Sequence, residues 1–176
     1  MDTNKYPIGK FEGTQEITPE KRKELIEEIE GLPARLRKSV EGASKSELDA
    51  PIREGGWTLR QVVHHIVDTE LNGFARFKFA LTMDNPVLPA YDQDSWAALA
   101  DATKTDIAPS LSIMDGVSAR LSALLSSLSP RDFRRTYQHP ERGIITVDFY
   151  LQLLAWHGKH HIAQIEGARK NRKTEA

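Results

Sequence analysis

Two histidines four residues apart, His157 and His161, are the side chains of this sequence whose type and spacing point most directly to chemistry. The helix that holds them carries an apolar stripe, Val147, Tyr150, Leu154, Ile165 and Ala168, in three- and four-residue steps, and the two histidines occupy the stripe's intervening positions. A four-residue step advances a helix by about 400° and about 6 Å, so both imidazoles leave the same face one turn apart. Two ring nitrogens placed that way can share one divalent metal at about 2.0–2.1 Å. No Glu follows His157, so this is not the HExxH pattern of zinc peptidases. Read from this helix alone, a metal and a packing role for the pair stand level, and a third ligand decides between them.

That ligand belongs on a helix facing this one. Thr58, with Gln61 three residues on, forms a capping box. It opens a helix running to about Leu81 through Leu59, Val62, Val63, Ile66, Val67, Leu71, Phe74 and Phe77. On it sit His64, His65 and Asp68. His64 and His65 point about 100° apart, and the periodicity favours His65, which shares a face with Val62 and Thr69. Asp68 is a candidate carboxylate for orienting an imidazole, or equally one half of a surface ion pair. His160 competes on the last helix, because it lies on a second apolar stripe of Phe149, Leu153, Trp156 and Ala163, and it reads as a packing or supporting residue. His139 precedes Pro140 in a loop and is more often a surface group there, although such loops also place general bases.

Two further helices complete the pattern. Thr18 caps a helix that starts at Pro19 and runs through Leu25, Ile29, Leu32, Leu36 and Val40, with a kink or break expected at Gly31 and Pro33. Pro109 and Ser110 open another, whose Met114, Val117, Leu121, Leu124 and Leu128 keep a seven-residue repeat. Thr146 is the expected cap of the last helix, which is expected to end near Arg169. Residues 1–17 read as an extended arm, 44–56 as a connection, 83–92 as a proline-punctuated loop before a short helix at Ser95 to Leu99, and 137–143 as a loop. Strand signal is confined to Ile144 and Ile145. Four long amphipathic helices predict an all-α, four-helix bundle, with 1–176 as a single domain.

Composition narrows the function. With 24 Lys and Arg against 25 Asp and Glu, and no clustered basic stripe, nucleic acid and acidic membranes are poor partners. The absence of Cys excludes disulfides, thiolate metal ligands and a cysteine nucleophile. No apolar run approaches the roughly 20 residues of a membrane span, and no leader is visible, so a cytoplasmic location is expected.

The segments Gly55-Gly56-Trp57-Thr58-Leu59-Arg60-Gln61-Val62-Val63-His64-His65-Ile66-Val67-Asp68, Tyr6-Pro7-Ile8-Gly9, Tyr137-Gln138-His139-Pro140 and Trp156-His157-Gly158-Lys159-His160-His161-Ile162-Ala163 together resemble the YfiT group of the DinB-like superfamily. The resemblance spans nearly the whole chain. It implies a four-helix bundle with one divalent metal per subunit, zinc first and nickel as the alternative, held by His65, His157 and His161. It also implies a homodimer, as the seam of the third helix and the arm do by the apolar surface they offer. Gln164 stands where family members often have His. A three-His site leaves the metal an open position that would bring the pKa of water toward about 7, so a hydrolase of a small-molecule substrate is the first expectation. Relatives that transfer low-molecular-weight thiols to electrophiles make a thiol S-transferase the alternative, and a metal that only staples a binding module is a third. No phosphate loop, dinucleotide fingerprint or Ser nucleophile is present, and Asp68, His139 and His160 remain equal candidates for a general base.

Overall fold

The computed structural model describes residues 6–175, with side chains through 172. The elements run α1 (Pro19–Val40), α2 (Lys45–Leu48), α3 (Leu59–Thr82), α4 (Gln93–Ala97), α5 (Ala100–Lys104), α6 (Ala108–Ser126), α7 (Pro130–Phe133), β1 (Thr136–His139), β2 (Gly143–Thr146) and α8 (Val147–Glu175). The four long helices α1, α3, α6 and α8 form the bundle. Their starts follow the expected chemistry. Thr18 Oγ1 accepts from Lys21 N above Pro19, the Thr58 and Gln61 box is reciprocal, and Thr146 Oγ1 accepts from Phe149 N.

Each of α1 and α3 packs on both α6 and α8, so α1 and α3 lie diagonally. Arg22 meets Asp148 where α1 and α8 start, and Arg169 donates to Ser39 O where α1 ends, so these two helices run parallel. The approach of Gly73 to Leu154 and of His65 to His157 makes α3 and α8 antiparallel, whereas His64 to Ser110 and Arg120 over Phe74 make α3 and α6 parallel. The order is therefore up, down, down, up. Returning from the end of α3 to the start of α6 obliges residues 83–107 to run back along α3. Arg76, Gln61 and Arg60 fasten that connection by donating to Pro89 O, Ala97 O and Thr105 O.

Several local expectations are corrected. Pro33 and Gly31 do not break α1, which is continuous; Leu32 and Leu36 around them are fully buried, and that packing holds the helix through the lost amide. Residues 136–139 and 143–146, expected as loop apart from Ile144 and Ile145, form an antiparallel hairpin that pairs Tyr137 with Ile145 and Gln138 with Ile144. A buried Tyr137 between half-buried Thr136 and exposed Gln138 is too short a pattern to announce a strand. α2 and α5 are single turns that the connections did not announce, and α8 continues past Arg169. Leu71, placed by periodicity on the core face, is 41% exposed, while Glu70 beside it is buried.

The arm lies on its own bundle; of its expected span, residues 1–5 fall outside the described residues. Phe11 packs edge-on against Phe149 and against Trp156, Tyr6 lies near His160, and Gln152 exchanges hydrogen bonds with the Thr14 backbone. This contact covers the second apolar stripe of α8. Below it, the fully buried Asp148 accepts from Arg22 Nε and Nη2 at 2.7 Å and from Ile17 N at 3.2 Å, joining arm, α1 and α8.

Two glycines let α8 come close to its neighbours. A Cβ on Gly73 would stand 3.0 Å from Leu154 Cδ2, and one on Gly158 would stand 2.6 Å from Leu32 Cδ2. Gly158→Ala is expected to destabilise the fold by about 1–3 kcal/mol through overpacking, with part of the loss recovered in the double variant Leu32→Ala/Gly158→Ala. Urea unfolding of the four members of the cycle measures both terms, and purely additive losses would show that Leu32 is not the obstacle.

Glu70, on the buried α3 stripe of Ile66, Gly73 and Phe77, has no hydrogen-bond partner for either carboxyl oxygen among the described residues. Burial pushes its carboxyl up to about 8 from 4.5. Its contribution is thus fully present below about pH 4.5 and is lost as pH rises through about 8. Glu70→Gln should gain stability over the native chain steadily between pH 5 and 8 and level off above. Urea midpoints at pH 5, 7 and 9 test this, and a difference independent of pH would contradict it.

Candidate metal centre

The capping box at Thr58 sets the start of α3, which places His65 two turns in. The antiparallel packing on α8 then brings it to the height of His157 and His161. His65 Nε2 and His157 Nε2 are 3.0 Å apart, and one ring nitrogen from each of the three histidines lies within 4.8 Å of the other two. Two nitrogens on one tetrahedral zinc stand about 3.3 Å apart, so this cluster needs only small shifts to hold a cation. His161 Nδ1 is 2.8 Å from Gln164 Oε1. An amide oxygen only accepts, so Nδ1 carries the proton and Nε2 is left as a donor atom for the centre.

The site keeps its imidazoles neutral, as ligands must be. Burial brings His65 down to about 4. Burial, then the neighbouring histidines, hold His157 and His161 well below the usual histidine range. Trp57 meets His65 edge-on at 4.7 Å between ring centroids and closes one side. The donor set of three neutral nitrogens and no thiolate suits a borderline divalent cation and fits the expected group.

His157 lies where two cavities meet. One, of about 630 Å³, runs from His157 along α8 to Tyr150, with Arg76, Tyr91 and His139 among its walls. The other, of about 650 Å³, runs under the arm past Tyr6, Phe11, Trp57, His160 and His161. Both share Leu153, Trp156, Gln93, Asp94 and Arg142. The loop after α3 and the start of α4 line the first cavity through residues 90–94.

The other candidates fall elsewhere. His64 is buried between elements, with Nδ1 2.7 Å from Ser110 Oγ and Nε2 3.3 Å from Thr105 O, which ties the start of α6 to α3. His160 stacks on Trp156 at 4.6 Å and 17° and walls the second cavity. Asp68 orients no imidazole and forms no ion pair among the described residues; it is half-buried, and burial, then the charge of Asp101, raise its carboxyl. His139 walls the first cavity, its Nδ1 accepting from Glu141 N at 3.2 Å. The oxygen that does orient a histidine comes from Gln164, three residues after His161 on the same helix, a spacing that was legible. Arg76 and Tyr150, joined at 3.2 Å, carried no sequence signal, because one reads as helix surface and the other as core.

These features have close parallels. Residues 28–165 match the family model described as the DinB superfamily. A relative from Oceanobacillus iheyensis, named "Putative metal-dependent hydrolase OB0782", is 44% identical over 168 residues, 96% of this chain and 97% of its own. "Putative metal-dependent hydrolase YfiT" of Bacillus subtilis is 40% identical over 161 residues, 91% of this chain and 90% of its own. The solved YfiT structure, described as a four-helix bundle of unusual topology, matches with a TM-score of 0.94 at 38% identity over 97% of this chain and 98% of that one. The four-helix bundle protein TT2238 matches at a TM-score of 0.56 and 21% identity over 80% of this chain and 94% of its own, a likeness of fold. By the match of its sequence to the family model and to these relatives, the chain belongs to the DinB superfamily.

Proposed function

We propose that the chain is a single-domain, metal-dependent hydrolase of a small molecule, with His65, His157 and His161 holding one divalent cation, zinc first and nickel as the alternative. The observation that carries this reading is the convergence of three neutral imidazoles, on two helices, at the junction of two cavities. The names of the relatives support it. A cation bound there by three nitrogens supplies a Lewis acid with room for further ligands, which activates water and polarises a carbonyl.

The chain's own groups do the rest. Gln164 fixes the His161 tautomer, and Trp57 packs on His65 where water would otherwise reach the ring. His139 Nδ1 accepts a hydrogen bond from the Glu141 backbone N–H, so its neutral form presents Nε2–H, a donor to substrate from the cavity wall. Burial, then the charge of Arg76, favour that neutral form.

A second reading draws on the paired cavities. Two spaces of similar size that both reach His157 have room for two reactants, which suits thiol transfer to an electrophile.

We also propose a homodimer. The seam of α6 is consumed inside the chain, with Met114 and Leu121 fully buried, so the reading rests on exposed Phe79 in the last turn of α3, on Met83 just after it, and on Val87 and Ile144 flanking Gln138. Sedimentation as a monomer at about 50 µM, toward the weak end of interface affinities, would count against it.

Metal analysis tests the ligand set. His65→Ala, His157→Ala and His161→Ala are each expected to lose most bound zinc or nickel, and His64→Ala, His139→Ala and His160→Ala to retain it. Stoichiometric metal in His65→Ala would place the third ligand elsewhere. The reaction is read separately. A hydrolase should cleave an activated ester or amide without added thiol, at a rate rising through an apparent pKa near about 7. A transferase should show no rate without thiol and saturate with it, and a cellular thiol should add a charge-transfer band to the cobalt-substituted protein. That band, together with no hydrolysis of ester, amide or phosphoester, would replace the hydrolase reading by the transferase.

A further inference from the structure

The first cavity holds a cation without a counter-charge. Arg76 is half-buried on α3, and it donates from Nη1 to Tyr150 Oη at 3.2 Å and from Nη2 to Pro89 O at 2.9 Å. Both partners are neutral. Two of five guanidinium N–H groups are thus used, and the remaining three have no partner among the described residues on a side chain that walls the cavity. Among the described residues, no carboxylate lies within ion-pair distance of Arg76. A half-desolvated guanidinium usually has an anion, and its planar fork matches a carboxylate in particular.

The surroundings agree in sign. Arg142, at the hairpin turn, borders the same space; its backbone N–H donates to His139 O while its guanidinium has no partner among the described residues, and His139 adds its Nε2–H. Three acidic groups also border the cavity, and none neutralises Arg76. Asp92 caps α4, accepting from Asp94 N, Ser95 N and Ser95 Oγ, and Asp94 and Glu141 are exposed. Half-buried Tyr91 keeps its hydroxyl on Thr69 Oγ1 at 2.7 Å, and its partial burial pushes it up to about 12, so it stays neutral. Tyr150, which receives the Arg76 hydrogen bond, stands seven residues from His157, about 10 Å or two turns along α8.

We propose that the lobe between Arg76 and His157 binds a small organic anion by its carboxylate, with Arg142 and His139 as further donors, so that the molecule transformed at the histidine centre carries a carboxylate at the end remote from its reacting group. The inference rests on the reading of this cleft as the substrate site, yet it holds for hydrolysis and thiol transfer alike. Arg76 is a binding and positioning residue, fixing one end of the substrate while the other reaches the metal.

Calorimetric titration of the zinc-loaded full chain with hexanoate and with 1-hexanol tests it without turnover. Hexanoate is expected to bind at least tenfold more tightly than 1-hexanol. Arg76→Gln should abolish that preference, Arg76→Lys should keep part of it, Arg142→Gln should reduce it a few-fold, and the native chain stripped of metal should keep it. Equal binding of the two probes, a preference surviving in Arg76→Gln, or its loss in the metal-free native chain would overturn the proposal, the last by placing the carboxylate on the metal. Should Arg76→Gln fail to fold, the Arg76 Nε–H resonance of the native protein decides. It should shift with hexanoate and not with 1-hexanol, and no shift would overturn the assignment. Failure to cleave any ester while the preference stands would sink the hydrolase reading alone.

Discussion

The antiparallel packing of α3 on α8 is the constraint on which the remainder of the molecule depends. A four-residue spacing on one helix supplies two imidazoles, and a third can reach them only from a facing helix held at the same height. Gly73 sets that approach on α3, where Leu154 occupies the space a side chain would need. Gly158 does the same on the far side of α8, against Leu32 of α1, so the helix bearing two of the histidines is wedged between two close contacts. Side chains in such a place have few alternative positions, which is what a ligand set needs.

Helix order follows as the next consequence. Because α3 and α6 run the same way, residues 83–107 must travel the length of the bundle, and they do so along the α3 face that borders the centre. A bundle with short turns would leave that face to water. Here the connection, the hairpin and the arm build walls around the histidines, and each is tied down by side chains from the bundle: Arg76 and Arg60 for the connection, Gln152 and Asp148 for the arm. His64 belongs to this scaffolding, pinning the start of α6 while its neighbour His65 faces the centre.

The interior carries polar groups that packing alone does not explain. Glu70, Ser118, Ser122 and Tyr137 all have buried side-chain oxygens without partners among the described residues. Such groups cost stability where apolar residues would not. Glu70 is costlier still, since its charge is unfavourable in this environment and its proton is therefore retained well above the usual carboxylate range.

Periodicity and capping chemistry alone determined the four helices, their starts at Thr18, Thr58 and Thr146, and the stripe that seats His157 and His161, because these are relations between residues a few positions apart. The same arithmetic favoured His65 over His64, and the tertiary structure brings His65 to the pair. What lay beyond the sequence was every relation set by helix order. The parallel run of α3 and α6 made the long connection a wall, and packing around Leu32 and Leu36 kept α1 continuous through Pro33. Hairpin pairing gave strand structure to a segment that reads as loop, and the approach of α8 to α3 joined Arg76 to Tyr150 at the end of a cavity that starts at His157. A pattern in one helix states which face is buried; only the neighbour that buries it decides whether Arg76 meets solvent, a carboxylate or the inside of a cleft.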